Sequence, residues 1–527
     1  MMSTTATATL VLDVMVAVIA LVVTISSNGV SAFSPTTTTT AYGIRKSNTV
    51  GHRVGGLQMS DNTDGGYVDI NEQAPRNVGP FDEWATNCGV QRMENGFRLS
   101  PTNPNDQYNQ DDISVVTDVD LSAGQPLLSI PANMILSSTN SRLELEEICD
   151  SFGDGSDSSG PGGTNDPGGI RTAVDLLQRL GAGDTVQKFY LFVKILLEYS
   201  NGMDSPYFPW LDSLPRLYYN SVSMTDFCYE CLPPLVFQLS RRERVKFDNF
   251  YDALQKLDPR LFQGNDDVKT SKDTIVKWAF NVVHTRCFSG DRNGNSGNGN
   301  GIGEGGTGGE EQKIVPMADM FNHGTDTEVE VSYDDEGNCN VYTTRDIPAG
   351  SPLRLSYGCP TNPSEFFATY GFLDESSPAT FCKIMNIPPT PELKTLGLDF
   401  SRMLFYKDTG DISSEVWDVV LYAKVLINDM ETRQQFYDAH VNGDADTKNA
   451  IHQQYVGHTA TELQTHVDMF LTQLEMLSAK GDDKDWQDHP RLPLILRHND
   501  FVKATFEQVK LRLDPMVEEL AQQQQQF

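Results

Sequence analysis

Two tracts limit how much of this chain can enter a core. Residues 151–169 (SFGDGSDSSGPGGTNDPGG) and 289–310 (SGDRNGNSGNGNGIGEGGTGGE) are dominated by Gly, Ser, Asn and Asp. Such tracts bury too little apolar surface to offset the entropy of ordering them. They are therefore expected as flexible surface insertions. Neither has the glycine spacing followed by Lys-Ser/Thr that cradles a phosphate. What they separate are blocks of different character.

The first block, Phe81 to Leu136, holds short β-branched or apolar runs between turns. Ile113-Ser114-Val115-Val116-Thr117 predicts a strand, Ser122-Ala123-Gly124-Gln125 a turn, and Pro126 to Ile130 a second strand. The second block is helical. Phe189 to Tyr199 (FYLFVKILLEY) is apolar on nearly every side, Arg241 to Leu257 is amphipathic, and Lys272 to His284 predicts a further helix running into Arg286 and Phe288. The third block, Lys313 to Leu373, returns to strands. Glu328–Tyr333 and Asn340–Thr344 flank the turn Asp334-Asp335-Glu336-Gly337-Asn338, which predicts a hairpin. After residue 376 the prolines Pro388, Pro389 and Pro391 predict a linker. Helical periodicity follows over Glu415–Asp429, Thr459–Ala479 and Asp500–Gln522, ahead of a polar Gln523–Gln526 tail expected to fray.

A length of 527 residues exceeds what one hydrophobic core supports, so two or more domains are expected. The net charge of −32 argues against non-specific binding to nucleic acid or anionic lipid, which needs a basic surface. The eight cysteines are scattered and do not read as a disulfide framework. Cys228 and Cys231 form a CxxC without the second ligand pair that zinc needs, and Pro233-Pro234 follows at once, so they read as structural thiols.

The N-terminus reads as an address. Leu10 to Ile25 is an apolar run interrupted only by Asp13. It is short of the about 20 residues of a spanning helix and fits a signal-peptide core, although no Lys or Arg precedes it. From Phe33 to Ser60 the chain lacks acidic residues, is rich in Thr and Ser, and carries Arg45, Lys46 and Arg53. That composition resembles a transit peptide. The junction Val30-Ser31-Ala32-Phe33 resembles the bipartite presequence of algae with complex red-type plastids. It implies a signal peptide over 1–32, a transit peptide over 33–60 and a mature protein in the plastid stroma, without stable membrane association.

Three segments carry the candidate chemistry: Val315-Pro316-Met317-Ala318-Asp319-Met320-Phe321-Asn322-His323, Arg354-Leu355-Ser356-Tyr357-Gly358, and Asn362-Pro363-Ser364-Glu365 through Tyr370-Gly371-Phe372. Singly, each has an ordinary reading: a turn for Asn-His, core aromatics for the tyrosines. In this order they resemble the SET family of protein methyltransferases, in the branch of the plant Rubisco large-subunit lysine methyltransferase and the actin-histidine methyltransferase. Asn201-Gly202-Met203-Asp204-Ser205 with Tyr207 to Pro215, Trp278-Ala279 with Thr285-Arg286-Cys287-Phe288, and Asp120 to Pro131 resemble further segments of that branch.

The resemblance implies an α+β fold. A SET domain of small β-sheets with a pseudoknot spans 81–375, interrupted by a helical insertion near 137–285, and an all-α substrate-binding domain follows over 376–527. It implies a monomeric enzyme that takes S-adenosylmethionine and a protein substrate, by analogy the Rubisco large subunit or a plastid aldolase, and needs no metal. Tyr357 would be catalytic. Asn322, His323, Arg286 and Tyr370 would hold the cofactor, while Asp319 and Phe288 would face the substrate or brace the turn. The family's glycine-containing cofactor turn is missing where expected. Asp111-Asp112-Ile113-Ser114 stands there, with Glu94-Asn95-Gly96-Phe97 upstream, and Asp111 with Ile113 is the preferred match. The acceptor is read as lysine, with histidine, or a catalytically silent scaffold, as the alternatives.

Overall fold

The computed structural model describes residues 66–525 apart from 95, 102–111, 153–165, 167, 263–271, 291–309, 359–362, 385–386, 400 and 483. The presequence, Asp111, Asn362 and most of both low-complexity tracts therefore lie outside the described residues. So does the end of the Gln tail.

The strand pattern follows the alternation of apolar residues. Strands β1 (Gln91–Arg92) and β2 (Arg98–Pro101) lead to β3 (Ile113–Val116) and β4 (Pro126–Ile130), as predicted, and then to β5 (Leu136–Ser137). Beyond the helices come β6 (Cys287–Gly290), β7 (Glu311–Ile314), β8 (Asn322–His323), β9 (Val329–Tyr333), β10 (Cys339–Thr343) and β11 (Pro352–Leu355). The β9–β10 hairpin forms because Asp334 folds its turn. Its carboxylate accepts from the backbone N–H groups of Glu336 and Asn338 at 3.0 and 2.8 Å, and Gly337 supplies the left-handed φ of 84°.

Among the described residues these strands form three small sheets, ordered β1-β4-β10-β9, β2-β3-β11-β8 and β5-β7-β6. β4 and β10 are neighbours despite the helices between them in sequence. The pair that positions the site is β8 against β11, which runs parallel with Asn322 opposite Arg354 and His323 opposite Leu355. Asn322-His323 is thus a short strand rather than a free turn. Glu328 locks this arrangement from the side. Its buried carboxylate accepts from Arg354 Nε and Nη2 at 2.9 and 2.8 Å and from Arg345 Nη2 at 2.6 Å.

The helices of the insertion supply the largest packed mass. Helix Val186–Ser200 is buried almost all round, as its sequence predicts. Phe189 and Phe192 meet Phe250 of helix Pro234–Leu254, each at 5.4 Å between ring centres, and Phe280 of helix Lys272–Arg286 joins them. That last helix ends on Arg286, at the start of β6. Cys228 and Cys231 are fully buried, and burial pushes the Cys231 thiol up to about 11, as befits a packing group.

The C-terminal region is helical, with one addition. β12 (Ala379–Phe381) and β13 (Leu404–Tyr406) form a two-stranded antiparallel ribbon, which the expected linker does not foresee. Pro391 opens helix Pro391–Thr395 behind a Thr390 cap instead of breaking the chain there. The predicted helix Glu415–Asp429 is α only over Ser414–Val420 and continues as a π turn and a 3₁₀ turn. Helices Ala445–Ala479 and Leu492–Gln525 then run side by side. Phe470 stacks on Phe506 at 4.7 Å, and Lys510–Asp468 and Lys503–Glu475 bridge the pair.

This region is docked on the first part of the chain. Arg491 donates to both oxygens of Glu72 at 3.0 and 2.6 Å and to the Tyr218 carbonyl at 2.8 Å. No helix among the described residues is long and apolar enough to cross a membrane.

Candidate active site

The parallel pair β8–β11 brings its two ends together. Tyr357 follows β11 by two residues, so it lands beside His323. Its backbone N–H donates to His323 Nδ1 at 3.0 Å, and its hydroxyl donates to the Phe321 carbonyl at 2.7 Å. Both anchors belong to the Phe321-Asn322-His323 segment, so backbone and side chain of Tyr357 are fixed by one stretch of chain. Burial pushes the Tyr357 phenol well above its ordinary range. Arg286 works against that, and Asp112 and Asp319 reinforce it. Tyr357 is therefore a neutral hydroxyl with its proton committed to Phe321.

Helix Ser364–Tyr370 closes the aromatic wall. Tyr370 lies 5.2 Å from the Tyr357 ring, Phe366 lies 4.5 Å from His323, and Phe372 lies 5.6 Å from His323. The helix stops where it does because Gly371 takes φ 80° and donates back to Phe366 and Phe367. A Cβ at Gly371 would stand 2.3 Å from the Asn220 backbone nitrogen, so only glycine fits. Asn220 and Ser221 cap the helix in return, donating to the carbonyls of Thr369 and Ala368 at 3.2 and 2.7 Å.

On the other side lies a buried charge pair. Asp319 sits in the turn Ala318–Met320, entered through Met317 at a strained φ of 80°. Its Oδ2 accepts from Trp210 Nε1 at 3.0 Å and from Arg286 Nη1 at 2.9 Å. Arg286 Nη1 also reaches the Asp319 carbonyl at 2.8 Å. Burial works against the Arg286 charge, but Asp319, Tyr218 and Tyr357 together outweigh it and hold the guanidinium above its ordinary value. The pair is not saturated. Arg286 Nε and Asp319 Oδ1 are buried and make no hydrogen bond. One unused donor and one unused acceptor at a buried site call for an explanation.

Most of the sequence-predicted residues meet here. Tyr357, His323, Tyr370, Arg286 and Asp319 form the cluster just described. Asn322 joins through its side-chain amide, which donates to the Ile113 carbonyl at 3.2 Å. That contact puts the start of β3 beside Asn322. The upstream candidate instead contributes Phe97, packed 5.7 Å from Phe321, while Gly96 lies against Met93. Asp112 acts electrostatically on both Tyr357 and Arg76. Phe288 stands apart from these bonds: it pairs with Lys313 across β6–β7 and is buried in the core. Sequence reasoning missed Trp210 and Asp374. Both stand in segments it had singled out or directly after one, Trp210 inside the Tyr207–Pro215 match and Asp374 just past Tyr-Gly-Phe. Among the described residues no group of three or more His, Cys, Asp or Glu side chains is placed to hold a metal ion.

The comparisons with known proteins agree with this architecture. The SET domain family matches residues 112–358. A curated relative, SET domain-containing protein 8 of Schizosaccharomyces pombe (strain 972 / ATCC 24843), is 24% identical over 165 residues, which are 30% of this chain and 34% of the relative. The chain thus spans about a third of that relative's length. Among solved structures, the SET domain of LSMT bound to lysine and AdoHcy superposes with a TM-score of 0.52, at 14% identity over 84% of this chain and 93% of that one. Rubisco LSMT bound to AdoMet gives 0.51 at 14% identity, with the same coverage. At that identity the likeness is one of fold, the fold of the SET domain whose family model matches residues 112–358 of this chain.

Proposed function

We propose that this protein is an S-adenosylmethionine-dependent protein N-methyltransferase that modifies a lysine of a plastid protein. The observation that carries the reading is the unsaturated pair. Arg286 Nε is a donor and Asp319 Oδ1 an acceptor, both buried and both unused. The amino-acid end of S-adenosylmethionine offers a carboxylate and an ammonium, which need one of each. The residues therefore fit the cofactor, with Arg286, Asp319, Asn322 and His323 as its holders. Solved structures of the same fold support the assignment: Rubisco LSMT is bound to AdoMet in one and to sinefungin and monomethyllysine in another.

When bound, S-adenosylmethionine supplies an electrophilic methyl group on a sulfonium. The chain's own part is positioning and electrostatics. Tyr357 is held at both its backbone and its hydroxyl, so its oxygen presents lone pairs in a fixed direction to an incoming amine. It is no general base, since its proton is already donated to Phe321 and burial keeps the phenol neutral. A lysine amine, with an ordinary pKa of about 10.4, must shed its proton before it can attack. The aromatic wall of Tyr370, Phe366 and Phe372 disfavours the ammonium by desolvation and so assists that loss.

The test is incubation of the purified protein with labelled S-adenosylmethionine and a stromal extract, followed by mass spectrometry of what is labelled. We expect one labelled protein, modified on lysine, with the Rubisco large subunit and plastid aldolase as the first candidates. In Tyr357→Phe the rate should fall by about 100- to 1,000-fold, the usual effect of losing one preorganised polar group. Equal labelling by wild type and Tyr357→Phe would end the assignment, and label on histidine would change the acceptor. The plastid address rests on residues 1–60 alone. A fluorescent fusion of that segment should enter plastids, and retention in the ER or cytosol would remove the claim.

A further inference from the structure

His323 accepts the Tyr357 backbone N–H at Nδ1. A neutral imidazole that accepts at one nitrogen carries its proton on the other. That other nitrogen, Nε2, is buried and makes no full hydrogen bond. The nearest acid is Asp374, whose Oδ2 lies 3.6 Å away, an ion-pair distance rather than a hydrogen-bond one. Asp374 does not stand loosely. Thr325 Oγ1 donates to its Oδ2 at 2.5 Å and Ser377 Oγ does so at 3.2 Å, while Oδ1 accepts from Ser376 Oγ at 2.6 Å and from the Ser376 backbone N–H at 3.0 Å. Burial opposes the charge, but the neighbouring His323 ring and the hydrogen bonds from Ser376 and Thr325 overrule it and hold the carboxyl well below the usual carboxylate range. A fixed negative charge thus faces Nε2 across a short gap, and the His323 ring is walled by Tyr357, Phe366 and Phe372.

We propose that Asp374 is a positioning residue for methyl transfer, holding His323 in the Nε2–H tautomer so that Nδ1 stays free to accept from Tyr357. The proposal rests on the methyltransferase reading above for its effect on rate, but not for its effect on the ring. An Nδ1–H tautomer would point a proton at the Tyr357 N–H, and one of the two would have to move. This bond fixes the Tyr357 backbone and the hydroxyl bond to Phe321 fixes its tip, so a shift of the backbone displaces the hydroxyl. A misplacement of this kind costs rate more than affinity.

The decisive variant is Asp374→Asn in the full-length protein. Its amide can donate to Nε2 and so favours the wrong tautomer, as carboxylate-to-amide exchange beside a histidine does elsewhere. We expect kcat to fall about 10- to 100-fold, in line with the loss of a group that orients a catalytic one. The S-adenosylmethionine dissociation constant, measured by calorimetry, should stay within about 3-fold, below the tenfold that 1.4 kcal/mol represents. Nitrogen-15 spectra of the histidine rings, assigned with His323→Gln, should show His323 moving from protonated Nε2 to protonated Nδ1. Asp374→Glu should restore the wild-type tautomer and part of kcat. Thr325→Val loosens the clamp without removing the charge. It guards against a folding failure in the first variant: it should keep the tautomer and lose only a few-fold in kcat, a smaller loss because the charge stays. An unchanged tautomer in Asp374→Asn overturns the proposal, as does a kcat loss matched by an equal loss of cofactor affinity. Absence of methyl transfer in wild type, with the tautomer switching as expected, instead removes the methyltransferase reading.

Discussion

Two buried carboxylates, one beside the candidate site and one in the C-terminal helices, are partnered differently. Asp418, in the C-terminal helices, is 3% exposed. Its Oδ1 pairs with His452 Nε2 at 2.8 Å, its Oδ2 with Lys448 Nζ at 2.5 Å, and His440 Nδ1 stands 3.6 Å from Oδ2. Both oxygens are used. Burial opposes ionisation, but His452 and Lys448 overrule it and the carboxyl is held below its ordinary value. Asp319 is 6% exposed and places both of its partners, Trp210 and Arg286, on the single oxygen Oδ2. Its other oxygen is left open, as is Arg286 Nε. A closed network stabilises a fold and has nothing left to offer a ligand. An open one leaves capacity unused, which natural structures tolerate chiefly where something else completes it.

The comparison can be broken first at its open end. Arg286→Met leaves the Asp319 carboxylate buried beside Trp210 alone. Removing one partner of a buried pair costs about 3–5 kcal/mol, because the remaining charge is uncompensated. We expect that loss of stability in urea unfolding, together with loss of measurable S-adenosylmethionine binding by calorimetry. Asp418→Asn tests the closed end. It should cost about 2–3 kcal/mol of stability, the range for a charged hydrogen-bonding group lost from a buried network, and leave cofactor affinity unchanged. If Asp418→Asn weakened cofactor binding as Arg286→Met does, the two carboxylates would not differ in kind.

The open end was also the more legible one. Asp319, Asn322, His323, Arg286, Tyr357 and Tyr370 could all be picked out because they stand in segments of fixed order. The helix Val186–Ser200 was legible because its run is apolar on every face. What could not be read was any feature that depends on partners distant in sequence. Asp374 matters through His323 and Thr325, yet in the sequence it is an acid after a Tyr-Gly-Phe. The parallel strand at Asn322-His323 exists only because β11 pairs with it, and two residues carry no strand signal of their own. The helix Met430–Asn442 escaped for a different reason: it buries only Phe436 and Ala439, so it has almost no apolar stripe. Its caps were there to be found. Asp429 accepts from the Thr432 N–H, Gly443 ends the helix at φ 69°, and Asp444 starts the next by accepting from Thr447.

A third buried charge gives the most gradual effect. Lys383 is 1% exposed, sits at a left-handed φ of 61°, and spends its ammonium on Ser364 Oγ at 2.9 Å. Ser364 opens the helix that carries Phe366 and Tyr370, so this lysine is tied to the aromatic wall of the site. The titratable neighbours are Cys382, whose thiol burial pushes up to about 12, and His498, which burial lowers to about 3. Neither is an anion at neutral pH. Burial lowers Lys383 from 10.5 to about 7. The sign follows from proton counting. Below about pH 7 the folded and unfolded chains both hold this proton, and Lys383 destabilises the fold fully. Between about 7 and 10.5 the unfolded chain holds the proton and the folded chain has shed it, so stability rises with pH. One such group contributes at most about 1.4 kcal/mol per pH unit. Thiols titrate the other way above about pH 8.5, their ordinary range, so a single protein's curve mixes the two. The difference between wild type and Lys383→Met cancels the thiols and isolates the lysine. Urea midpoints between pH 7.5 and 9.5 should show Lys383→Met more stable at the lower end, with the gap closing as pH rises. A gap that stays constant would mean the lysine keeps its proton in the fold and that Ser364 is not its only support.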